Sequence, residues 1–194
     1  MIHDGYWQMD LISYANKILY WKRHVNKLID RGLPYSHKDM EKALHKLTQM
    51  VFFSACIVRK MVEEEIEAIE AIKKYAESFS TDQDNIPTRF FKLYNQTIDS
   101  LQLPLLETSI NFFEDYCCED YDFSLSNKRK NSIKSVSNWI LHSYVWNLQS
   151  ENPNSKHISG FVVSSDYDKS KFACYVSLDS WCDMLKFCGE YAYL

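Results

Sequence analysis

Asn131, Lys134, Asn138 and His142 follow one another at spacings of three, four and four. Read as a helix at about 100° per residue, they share one face, with Asn138 and His142 as neighbours one turn apart. Ile133, Val136, Ile140, Leu141, Tyr144 and Leu148 gather on the opposite side. Imidazole is the side chain whose ordinary titration lies near neutral pH, so His142 is a candidate proton donor or acceptor. A carboxamide beside it could fix its orientation. Cations close by could hold a phosphate, and four occur within seven residues: Lys128, Arg129, Lys130 and Lys134. Trp139 and Trp146 flank the stripe, and large indoles beside polar groups often mark an interface.

The elements expected to position these groups are helices. Apolar residues recur at helical spacing from Trp7 to Asp30, and Gly32 with Pro34 forms a stop. Ser36, with Asp39 three residues on, opens a second helix over 36–79. At about 1.5 Å per residue it is long enough that a break near 62–66, or a projection past the core, is expected. Residues 80–87 read as a loop. Pro104 divides 88–119 into short helices. Ser124 or Ser126 caps a helix over 127–148. Ile158–Ser164 and Lys171–Ser177 read as a hairpin. Asp179 caps a last helix reaching Tyr191.

Ser137-Asn138-Trp139-Ile140-Leu141-His142-Ser143-Tyr144 resembles the R-N-x-x-x-H-x-Y signature of HEPN domains, carried late in a helical bundle. The segment Ile57–Glu63, with Arg59, is similar to what such proteins carry on a preceding helix. The resemblance implies a mainly α, HEPN-like bundle over 1–150. A C-terminal β-hairpin and terminal helix over 151–194 would dock on it within a single structural domain. It also implies an RNA-acting protein, a homodimer with both motifs facing a shared cleft, and a metal-independent endoribonuclease of the kind found in toxin–antitoxin and phage-defence systems. His142 would then be the acid/base and Asn138 would position it, with Tyr144 in support. The departure from the pattern is Ser137, which stands where the family has arginine. Serine has neither the charge nor the bidentate fork, so Lys134, Arg129 or Arg59 would have to contact the phosphate. Loss of that arginine favours a second reading, a non-catalytic HEPN-like module for dimerisation or for binding a partner protein or nucleotide. An unrelated helical scaffold protein is the third.

Each of these residues also has a plain structural reading. Asn138 and His142 could be a bonded pair at a helix contact. Arg59 could be an ion-pair partner of Glu63 at i,i+4. Tyr144 falls on the apolar side of the wheel, and Lys128–Lys130 could be solvated surface. His37, Glu41 and His45 recur every four residues, but H-E-x-x-H is absent and they read as exposed helix positions. No metal and no cofactor is expected.

Composition bounds the rest. The 194 residues, 46% hydrophobic and 25% charged, fit one globular domain. A net charge of -4 supplies no global field for nucleic acid, so binding would need a local patch, and no DNA specificity is evident. The six cysteines include no C-x-x-C pair and Met1–Asp10 has no apolar signal region. Reduced thiols in a cytoplasm are therefore expected. No apolar run approaches the length of a membrane span.

Overall fold

In the computed structural model, residues 4–78, 93–106, 116–152 and 154–190 are described. They form α1 (Asp4–Asp30), α2 (Lys38–Ser78), β1 (Thr97–Pro104), β2 (Asn127–Ser132), α3 (Ile133–Leu141), β3 (Ser143–Gln149), β4 (Gly160–Ser165), β5 (Phe172–Ser177) and α4 (Leu178–Glu190). The strands make one antiparallel sheet in the order β2-β1-β5-β4-β3. This is an α+β sandwich, helices on one face of a five-stranded sheet. The expected mainly α bundle with a single hairpin is overturned.

The helical layer and one sheet face share a core. Leu11, Ile18 and Val25 of α1, Leu47, Val51 and Val58 of α2, Ile133, Val136 and Ile140 of α3, and Trp181 and Leu185 of α4 meet Ile98, Phe161, Val163, Cys174 and Val176 of the sheet. A smaller cluster on the other face joins Leu103, Val145, Val162, Ala173 and Tyr175 to Tyr121. Residues 161–164 and 173–176 are therefore buried on both sides, which is why these central strands read as nearly continuous apolar runs.

Local signals explain the ends of the helices. After α1 the Gly32 backbone takes φ 76, which glycine adopts without steric penalty. Its N–H donates to the Ile29 carbonyl and that of Leu33 to the Leu28 carbonyl, closing the helix. His37, rather than Ser36, caps α2: its Nδ1 accepts from the Asp39 N–H at 3.2 Å. α2 runs unbroken through 62–66. Arg59–Glu63 and Lys60–Glu64 pairs brace it at i,i+4. Beyond Val62 most of its positions are half-buried or exposed and Ile69 alone is buried up to Tyr75, so the helix extends past the densest core. The Glu65 carboxylate there accepts the N–H groups of Leu93 and Tyr94.

Two segments differ from the sequence expectation. Leu101–Pro104 lies in β1, not in a short helix: Pro104 is the last strand residue, a position where a missing donor is tolerated. The helix expected over 127–148 is three elements. β2 is polar and mostly exposed, Asn-Lys-Arg-Lys-Asn-Ser. It is an edge strand held by β1, and its cations disfavour further strand pairing. Ser132 then caps α3 by accepting the Ser135 N–H. Over 143–149 the apolar residues fit strand alternation as well as the wheel. Packing selects the strand: the Trp146 ring meets Phe52 at 4.8 Å and Phe161 at 4.9 Å. The 160–165 and 172–177 hairpin and α4 agree with the sequence reading, although the α4 cap is Ser177.

Burial of the thiols has a consequence in alkali. Burial pushes Cys174, Cys182 and Cys188 from the ordinary 9.0 up to about 12 and Tyr175 from 10.0 up to about 12. The unfolded chain thus loses these protons first, and stability must fall as pH rises through the window from 9 to 12. Circular dichroism against pH is expected to show alkaline unfolding that begins in that window. Under native conditions at pH 8, iodoacetamide is expected to modify exposed Cys56 and Cys117 and to spare the three buried thiols. Equal labelling of all five by mass spectrometry would contradict the burial.

Candidate functional site

α2 and α3 pack side by side, and their contact carries the one exposed imidazole–guanidinium pair among the described residues. An N–H of Arg59, near the middle of α2, reaches His142 Nε2 at 2.8 Å. Arg59 Nε donates to Glu63 Oε1, also at 2.8 Å. Guanidinium has donors only, so Nε2 accepts and the imidazole proton sits on Nδ1. His142 is exposed, and the Arg59 side chain is 33% exposed. Two of the five guanidinium N–H groups are thus engaged among the described residues, and the rest of the fork is available to a ligand arriving from solvent.

Electrostatics favours an anion here. The hydrogen bond from Arg59 holds the Glu63 carboxyl below its usual range, and the charges of Arg59, Lys60 and Lys134 add to the effect. Lys60 and Lys134 therefore stand close enough to contribute to the same local field, three cations against Glu63 and its neighbour Glu64.

α3 sets the remaining members. It ends at Leu141, and His142 is its C-cap, with φ -112 and ψ 29 and its N–H on the Asn138 carbonyl at 2.9 Å. The one-turn relation of Asn138 to His142 survives even though the helix stops between 141 and 143. No hydrogen bond joins the two side chains among the described residues. Asn138 Oδ1 is buried without a partner. A buried acceptor left unpaired is costly.

The other expected members are placed elsewhere. Ser137 is buried and its hydroxyl donates to the Ile133 carbonyl at 2.7 Å. The position that resembles the family's arginine therefore faces the core, where a guanidinium would have to be buried without a carboxylate. Arg129 donates to Gln102 on β1, at the sheet edge opposite the one that His142 leads into. Four strand spacings of about 4.8 Å separate those edges, so Arg129, Lys128 and Lys130 lie far from His142. Tyr144 is on β3, not on a helix, and the Lys169 ammonium lies 3.7 Å from its ring centroid. Trp139 is tied to the β4–β5 turn, its indole N–H donating to Asp168 at 3.1 Å. Trp146 belongs to the core.

The ion pair with Glu63 read from the sequence is present, and the same guanidinium also reaches His142. Spacing along α2 was enough to find the first contact. The second joins residues 83 positions apart, and no local pattern could reveal it. No cluster of histidine, cysteine or carboxylate side chains suited to a metal occurs among the described residues, and no helix among them is long and apolar enough to cross a membrane. The chain matches no known family, no curated protein and no solved structure.

Proposed function

We propose that this protein acts on RNA, with Arg59 and His142 as the groups that meet the phosphodiester. The observation that carries the reading is the exposed 2.8 Å contact between guanidinium and imidazole, backed by Lys60 and Lys134. A phosphate is a better partner for guanidinium than a neutral imidazole is, because the bond becomes charge-assisted and bidentate. Phosphate binding would draw the Arg59 N–H away and free His142 Nε2. That nitrogen would then take the proton from a 2′-hydroxyl. The 2′-oxygen would attack the adjacent phosphorus, and the bond to the 5′-oxygen would break. The products would be a 2′,3′-cyclic phosphate and a 5′-hydroxyl whose proton comes from solvent.

The site does not depend on a helical bundle. It uses an arginine from α2, because position 137 faces the core. The non-catalytic reading, an RNA- or partner-binding module, draws on one feature of the same geometry: Glu63 already neutralises part of the Arg59 charge and would weaken any stabilisation of the transition state.

Purified protein incubated with mixed cellular RNA is expected to yield fragments with cyclic phosphate and 5′-hydroxyl ends. His142→Ala is expected to abolish them while leaving the circular dichroism spectrum intact, since the side chain is exposed. Binding without cleavage in both proteins would move the assignment to the non-catalytic module. Fragments that persist with His142→Ala would remove His142 from the chemistry.

A further inference from the structure

The face of the sheet away from the helices carries a concave site of about 520 Å³. That is within the usual size of small-ligand pockets. Strand register builds it. Lys128 stands opposite Leu101, which stands opposite Tyr175, and Lys130 stands opposite Asp99. Residues paired across strands share a face, and Tyr175 belongs to the cluster on the helix-free side. Lys128 and Lys130 therefore project on that side, two positions apart on one exposed edge strand. Neither makes an ion pair among the described residues.

The floor is Leu101; the Tyr175 ring lines it but is only 2% exposed and packs against Phe123 at 5.8 Å. That ring lies flat because Gly160 is beneath it: a Cβ on Gly160 would collide with the ring and with the Val176 carbonyl. The Tyr175 hydroxyl is fixed by Ser159 at 2.7 Å. At the far side stand the Glu151 carboxylate and the hydroxyls of Ser177 and Ser180. The N-terminus of α4 is already capped by Ser177 and is not needed as an anion site. The cleft is thus polarised, with ammonium groups at the β2 edge, the Ser177 hydroxyl about two strand spacings, roughly 10 Å, away, and the Glu151 carboxylate one strand further, beside β4.

From this arrangement we infer that the cleft binds a mononucleotide. The phosphate sits between Lys128 and Lys130, the sugar hydroxyls donate to Glu151, and the flat, largely apolar remainder covers Leu101. Lysine serves phosphate as a point charge, and a carboxylate is the natural acceptor for ribose hydroxyls. Inorganic phosphate satisfies the lysines alone, and a nucleoside satisfies Glu151 alone; a mononucleotide spans both ends. Asp99 beside Lys130 partly offsets that cation, which disfavours ligands of higher charge. This site is on the opposite face from Arg59 and His142 and is independent of the RNA reading.

Calorimetric titration of the full chain with adenosine 5′-monophosphate is the test, with adenosine and inorganic phosphate as the partial ligands. The mononucleotide is expected to bind at least tenfold more tightly than either part. The Lys128→Ala/Lys130→Ala double variant is expected to lose that affinity by at least tenfold, and Glu151→Gln is expected to weaken the mononucleotide while leaving inorganic phosphate unchanged. His142→Ala is expected to leave all three titrations unaltered. No binding at millimolar mononucleotide, equal binding of inorganic phosphate, or full binding by the double-lysine variant would each overturn the inference. Circular dichroism of the variants guards the result, since all three side chains are exposed and their loss leaves the core intact.

Discussion

Trp181→Ala is expected to lower stability by about 3–5 kcal/mol, the usual cost of truncating a fully buried tryptophan. Set against a total of about 5–15 kcal/mol for an ordinary domain, this brings the protein near its unfolding threshold. Trp181 is 0% exposed and stands between the layers. Its ring meets Phe161 of β4 edge-on at 6.4 Å, and its indole N–H donates to Ser54 Oγ on α2 at 3.0 Å. Ser54 in turn donates to the Val51 carbonyl at 2.8 Å. One side chain therefore ties α4, α2 and the sheet. Truncation leaves a cavity and deprives the buried Ser54 oxygen of its donor. Trp181→Phe keeps most of the volume and loses chiefly the hydrogen bond, so its expected cost is about 1–2 kcal/mol. Urea denaturation of the two variants measures both terms, and equal losses would show that packing at this position is not decisive.

The second large effect is functional. On the proposed RNA-cleaving role, Arg59→Ala is expected to slow the reaction by about 10²–10³, the usual consequence of removing a preorganised donor from a developing negative charge. Its effect on folding is expected to be small, because the Arg59–Glu63 pair is partly exposed and screened. Arg59→Lys is the sharper variant. It retains a charge and loses the planar fork, so a rate between those of wild type and Arg59→Ala is expected. Glu63→Gln acts in the opposite sense: it releases the guanidinium from a carboxylate and is expected to strengthen RNA binding. Initial rates on one labelled oligoribonucleotide, with filter binding for affinity, separate these outcomes. Wild-type rates in both Arg59 variants would remove the guanidinium from the reaction.

Legibility in the sequence followed the range of the forces involved. α1, α2 and α4 could be read because each has a long 3.6-residue apolar period, and the 160–165 and 172–177 hairpin because apolar runs flank a polar turn. Asn-Lys-Arg-Lys-Asn-Ser has no strand character of its own; β1 makes it a strand by pairing with it. Residues 143–149 satisfy two periods at once, and only the surface offered by Phe52 and Phe161 chooses between them. Those two ambiguities, with Pro104 read as a break between helices rather than as the end of β1, turned a five-stranded sheet into the expectation of a helical bundle.

The candidate site divides along the same line. The neighbourhood of Asn138 and His142 was fixed by spacing, because one helical turn brings i and i+4 together whatever surrounds them. The Arg59–Glu63 pair was fixed likewise. Which of the candidate cations meets His142 was decided by packing: α2 lies against α3 and delivers Arg59, while the crossing from β2 to β3 carries Arg129 to the far edge. Periodicity is a property of a dozen neighbouring residues and is written in their order. Contact between residues 59 and 142 depends on how whole elements bury their apolar faces against one another, and no stretch of sequence contains that sum.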